Sequence, residues 1–72
     1  MQLMHALLTQ SVRVKLRHGR SLTGRLVAYD DHLNLMLSDA IETVIDAHGN
    51  TDKNQLQIVY VRGDLVILVA AH

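Results

Sequence analysis

The chain of 72 residues contains no cysteine, which excludes disulfide staples and thiolate-ligated metal centres. It has no phenylalanine or tryptophan and only two tyrosines, Tyr29 and Tyr60. A barrel that binds nucleic acid by stacking successive bases on surface aromatics is therefore not encoded. Neither sign of charge is in excess: seven Lys and Arg balance seven Asp and Glu. That argues against a partner held mainly through phosphate neutralisation. No apolar run reaches membrane-spanning length, and no stretch has the charged start, apolar centre and small-residue cleavage site of a signal peptide. No membrane partner is expected. His5, His18, His32, His48 and His72 are scattered without paired-ligand spacing, so neither a metal nor another cofactor is expected. The aspartates beside His32 suggest acid–base chemistry, but there is no glycine-rich phosphate loop, and Ser11, Ser21 and Ser38 lack a nucleophile's setting. An enzyme is not expected, and no catalytic residue is assigned.

What is present reads as one small domain over residues 1–72. A chain this short buries only about 60% of its unfolded surface, and without disulfides or metals oligomerisation is the remaining source of stability. The opening "MQLMHALL" holds good helix formers with Leu3, Leu7 and Leu8 near one face, which predicts a short amphipathic helix. The period then becomes two. Val12, Val14 and Leu16 alternate with Arg13, Lys15 and Arg17 in a half-buried strand. His18 and Gly19 supply a hairpin turn, and a second strand runs from Ser21 to Tyr29 with a bend at Gly24. A long third strand is expected over Leu33 to Asp46 with a kink at Ser38 and Asp39, followed by a polar loop from Ala47 to Asn54. Gln55 to Val61 and Leu65 to Ala70 complete five strands, which suggests a small all-β barrel. The fifth, "LVILVA", is apolar throughout, so both its faces should be covered. An uncovered apolar edge is an aggregation hazard that strand pairing between subunits would remove.

Two stretches carry more than strand periodicity. "YDDHLNLML" (Tyr29 to Leu37) sets Asp30, Asp31, His32 and Asn34 against an apolar run, and on a strand His32 and Asn34 would share a face. "VRGD" (Val61 to Asp64) follows the fourth strand. "GRLVAYDDHLNLMLSDAIETV" and "VYVRGDLVILV" resemble, in order, the first and second motifs of the Sm and Sm-like (Lsm) family. The first is most similar to the third paralogue of the eukaryotic heteroheptameric ring. The resemblance covers Val12 to Ala70. It implies a strongly bent five-stranded SH3-like barrel, the Sm fold, with a short N-terminal helix. It also implies rings joined between the fourth and fifth strands of successive subunits, with RNA at the pore. For a third-paralogue subunit it implies uridine-rich single-stranded 3′ ends, that of U6 spliceosomal RNA or of messenger RNA entering decapping and decay, and hence nucleus and cytoplasm.

The family pattern carries over onto His32, Asn34, Arg62, Gly63 and Asp64. His32 would offer a flat face to a base and Arg62 would close the sandwich from the other loop. Such stacking is worth roughly 1–3 kcal/mol per base and tolerates any base. Selectivity would come from the Asn34 amide, whose donor and acceptor match the N–H and carbonyl of uracil. Asp64 would orient Asn34, and Gly63 would let backbone approach the ligand. On composition alone Asp30 and Asn34 are turn formers and His32 an exposed loop residue. A homomeric ring of archaeal type, or a scaffold ring that binds no RNA, would use the same subunit contacts.

Overall fold

The computed structural model describes residues 2–72. A helix α1 (Gln2–Ala6) leads into strands β1 (Ser11–Leu16), β2 (Arg20–Tyr29), β3 (Leu35–Ile45) and β4 (Thr51–Val61). A 3-10 turn at Gly63–Leu65 connects to β5 (Val66–Ala71). All pairings are antiparallel, in the spatial order β4-β3-β2-β1-β5. This is the all-β, strongly bent five-stranded barrel with a short helix in front of it.

The alternation in β1 is realised strictly, with Val12, Val14 and Leu16 buried and the residues between them exposed. They meet Leu22, Leu26, Leu35, Leu37, Ala40 and Val61 in one apolar core. His18 and Gly19 both have positive φ, as a tight I′ hairpin turn requires. The bend at Gly24 is a register shift between Thr23 and Arg25. A Cβ at Gly24 would lie 3.1 Å from Ala40 on the facing strand, so the sheet folds tightly there because that side chain is missing. Opposite it, Asp39 adopts φ 50° and kinks β3.

Four expectations need correction. The helix is only five residues long, and Met4 rather than Leu3 anchors it: Met4 is buried while Leu3 is exposed. Met1 lies outside the described residues. The third strand begins at Leu35, because Leu33 has φ 60°, which no strand accommodates. The polar loop is shorter than Ala47 to Asn54, since Thr51 to Asn54 pair with Ile45 to Glu42 as the start of β4. Finally, β5 is not covered on both faces. Ile67 and Leu68 are more than half exposed, because β5 pairs only with β1 and β4 only with β3 among the described residues. Ile58 and Tyr60 are likewise exposed on β4. The two unpaired edges therefore carry much of the large exposed apolar surface.

Candidate nucleic-acid interface

The turn between β2 and β3 is built by one carboxylate. Asp30 Oδ1 accepts from the backbone N–H groups of His32 (2.9 Å) and Asn34 (3.0 Å). The main chain closes the same ring: Asp30 N–H donates to the Asn34 carbonyl and Leu33 N–H to the Asp30 carbonyl, both at 3.1 Å. This is the competition of a short polar side chain with sheet pairing that makes aspartate a turn residue. The positive φ of Leu33 lets its half-buried side chain pack against the core. His32 and Asn34 on either side of it are left exposed. They share an outward aspect as loop residues, not as alternate positions on a strand.

The second half of the site arrives from far along the chain. Gly63 N–H donates to Asn34 Oδ1 at 2.8 Å, while Asn34 Nδ2 donates to Asp30 Oδ2 at 2.9 Å. The asparagine amide is thus held at both ends. A Cβ on Gly63 would overlap the His32 carbonyl oxygen, so this glycine permits loop to meet loop; the expected close approach is to the neighbouring turn. The expected role of Asp64 is also corrected. Its carboxylate faces Arg62 at 3.2 Å and does not reach Asn34. The residue that orients Asn34 is Asp30. Arg62 is extended and largely exposed, on the loop that docks against the His32 turn. Arg17, at the end of β1, steadies that loop from behind: its backbone N–H donates to the Leu65 carbonyl (3.0 Å) and its Nε to the Asp64 carbonyl (3.2 Å).

The clamp limits what the amide can still offer. An asparagine side chain has two N–H donors and two acceptor lone pairs, and Gly63 and Asp30 take one of each. One donor and one acceptor remain, in an order that cannot be exchanged. Turning the amide over would set N–H against the Gly63 N–H and oxygen against the Asp30 carboxylate. A base held in one place with an N–H opposite Oδ1 and a carbonyl opposite Nδ2, as uracil has, fits this order. Cytosine in the same place needs the reverse. The hydrogen bond from Asn34, followed by the two backbone N–H groups, holds the Asp30 carboxyl below its ordinary value, so the acceptor half of the clamp is an anion at neutral pH.

The same wiring occurs a second time. In the β3–β4 turn, Asp46 Oδ1 accepts from the N–H groups of His48 (2.9 Å) and Asn50 (2.8 Å), and Asp46 Oδ2 from Asn50 Nδ2 (3.1 Å). Asp46 N–H donates to the Asn50 carbonyl at 3.0 Å, and Gly49 takes the positive-φ position of Leu33. "DDHLN" and "DAHGN" are one solution to one turn, with Asp, His and Asn at alternate positions. This repeat was the signal in the sequence that Asp30 is the partner of Asn34. It also separates turn from site, because the network alone makes a hairpin. The docked Gly63 N–H and the flanking Arg62 are the additions at the first copy.

The LSM domain family model matches residues 2–71. The chain belongs to the LSM family. The LSM complex subunit lsm3 of Schizosaccharomyces pombe is 47% identical, over 88% of this chain and 77% of its own length, which bears out the resemblance to the third paralogue. Among solved structures, a Sm protein of Pyrococcus abyssi in complex with a uridine heptamer superposes with a TM-score of 0.83 at 32% identity, covering 99% of this chain and 94% of its own. A heptameric archaeal Sm protein gives a TM-score of 0.80 at 32% identity, covering 100% of this chain and 98% of its own. LSM and Sm proteins are RNA-binding proteins and generally not enzymes.

Proposed function

We propose that this LSM chain is a subunit of a ring that binds uridine-rich single-stranded RNA ends, one base per subunit, between His32 and Arg62 with its edge on Asn34. The observation that carries the reading is the double clamp on Asn34, which leaves one donor and one acceptor in the order uracil requires. The uridine heptamer bound by the similar Pyrococcus protein supports it. Gly63 holds the two halves of the site together, and Asp64 restrains Arg62. The subunit works by binding and not by catalysis, and needs no cofactor.

Ring formation follows from the two open edges. Ile67 and Leu68 of β5 border an apolar cleft of about 610 Å³ shared with Leu3, Met4 and Leu7. Ile58 and Tyr60 on β4 offer complementary apolar side chains. Pairing β4 of one subunit with β5 of the next would satisfy backbone groups and bury these side chains together. The similarity to lsm3 favours a ring of several kinds of LSM subunit, acting on the 3′ end of U6 spliceosomal RNA or on messenger RNA entering decay, in nucleus and cytoplasm.

The test is three variants against short uridine, cytidine and adenosine oligomers, read by fluorescence anisotropy. His32→Ala removes a stacking face and should weaken all bases comparably, by on the order of 1–3 kcal/mol per occupied site. Asn34→Ala should reduce uridine binding most. Arg62→Ala should resemble His32→Ala and also flatten the salt dependence. If Asn34→Ala keeps the uridine preference while His32→Ala abolishes it, the assigned roles are wrong. A ring that binds none of the oligomers would be a protein scaffold.

A further inference from the structure

The chain is electrically neutral as a whole, yet its charges are sorted by strand parity. Arg13, Lys15 and Arg17 all point outward from β1. The register places Lys53, Thr43, Ser21 and Lys15 in one row across β4, β3, β2 and β1. That row, with Arg13 beside it, lines an open groove of about 800 Å³ to which no Asp or Glu side chain contributes. The nearby acids fall on alternate positions: Glu42 lies between Ile41 and Thr43, and Asp52 directly precedes Lys53. A period of two turns such neighbours away from the row, and the Glu42 carboxylate is taken up by Arg20 at the groove's rim. The groove of a neutral protein is thereby lined by cations without an acidic side chain.

This face is continuous with the base site. Arg17 donates to the Asp64 carbonyl in the same loop as Arg62, and Lys15 and Arg13 follow at steps of about 6.6 Å along the strand. We propose that this face is a phosphate track: it takes the sugar–phosphate backbone of single-stranded RNA that runs on beyond the base held at Asn34. The chemistry fits a phosphodiester, with lysine ammonium groups at both ends of the row, the Arg13 guanidinium beside it, and the hydroxyls of Ser21 and Thr43 between the lysines to donate hydrogen bonds. The rings that line the groove are the His18 and His72 imidazoles, and stacking on them tolerates any base, so the track holds RNA without reading its sequence. The β4 and β5 edges at either side would carry the same face from one subunit to the next. The proposal rests on the RNA-binding reading above and extends it to a second surface.

The experiment uses the assembled ring and three fluorescent probes: a short uridine oligomer, an abasic ribose–phosphate strand, and the two joined. The joined probe should bind more tightly than the uridine oligomer, and the abasic strand alone should bind weakly and only at low salt. In Lys15→Ala/Lys53→Ala, the slope of log affinity against log salt for the joined probe should fall by about 1.4 for each substituted subunit that the strand crosses, near 0.7 for each cation removed. Affinity for the short uridine oligomer should not change, and native mass spectrometry should still show the ring. A joined probe that binds no better than the short one overturns the track and leaves the base site standing. If the short oligomer fails to bind while the abasic strand binds through the lysines, the base site falls and the track survives. Displacement of the abasic strand by salt alone but not by the double substitution, or equal loss for all three probes, refutes the assignment to this face. A peptide of alternating Glu and Leu that binds through the two lysines while the abasic strand does not would make the face an acidic-segment dock and overturn the proposal.

Discussion

Asp30→Asn tests the clamp more sharply than removal of any side chain that faces the base. The substitution keeps the shape of residue 30 and the acceptor that builds the turn. The introduced amide can still present an oxygen to the N–H groups of residues 32 and 34, which accounts for two of the three bonds made by the Asp30 side chain. Its other terminal atom is then an NH₂ group placed against Asn34 Nδ2, and two donors face one another. Relief comes if the Asn34 amide turns over, but that loses the bond from the Gly63 N–H. The two orientations become comparable, and the order of donor and acceptor shown to the base is no longer fixed. An amide that reads a base edge with two bonds is worth about 1–3 kcal/mol of discrimination, so the wild-type ring should prefer uridine over cytidine by about 5- to 150-fold. In Asp30→Asn most of that ratio should vanish, chiefly through tighter cytidine binding, because His32 and Arg62 remain to stack. Matched titrations of short uridine and cytidine oligomers measure it. Asp46→Asn is the internal control: it makes the same change in the same wiring, at a turn that no Arg-Gly loop docks against, and should leave the ratio alone. An unchanged ratio in Asp30→Asn, or an equal fall in both variants, would refute the argument that the clamp sets base choice.

Gly63→Ala places a Cβ on the His32 carbonyl oxygen, so the loops must separate; uridine affinity should fall about tenfold, the loss of roughly one hydrogen bond, with the circular dichroism spectrum unchanged. Ile67→Glu puts a charge where the side chain is 56% exposed in the single chain; native mass spectrometry should show monomers that remain folded, and a persistent ring would contradict the use of the β5 edge. Asp30 has a carboxyl pKa lowered from 3.8. A depressed native value means that its contribution is fully present above the unfolded value and is lost as pH falls through the native one. The Asn34 side-chain amide resonances should therefore be constant down to about pH 4 and change only below that, and a transition at pH 5 to 6 would deny the carboxylate its role.

The residues that bury a face were legible in advance. Val12, Val14 and Leu16 alternate with charges because one side of β1 meets the core, and composition records that. Thr51 to Asn54 gave no such sign. They form the start of an edge strand, where the backbone pairs with β3 and every side chain is exposed, so nothing in their hydropathy marks a strand. The residues of the proposed base site were named by their motifs, but the wiring between them was not. Asp64 adjoins Gly63 in sequence and was the natural partner for Asn34. The turn, however, closes on itself across Asp30 to Asn34 and brings that carboxylate nearer. The choice of Asp30 is a matter of loop closure, which no motif states, though its second occurrence at Asp46 does.

The bond from Gly63 to Asn34 joins residues 29 positions apart, and it lies on the segment between β4 and β5, the two strands with open edges. If neighbours occupy those edges, the Arg62–Gly63 backbone is held on one flank by each of two other subunits. Base capture and ring closure then restrain the same few residues. Thermodynamic reciprocity requires that whatever assembly adds to the affinity for uridine, uridine adds to the strength of assembly. A ring loaded with RNA should resist dilution better than an empty one, and a lone subunit should be the poorer ligand binder although it possesses every side chain of the site.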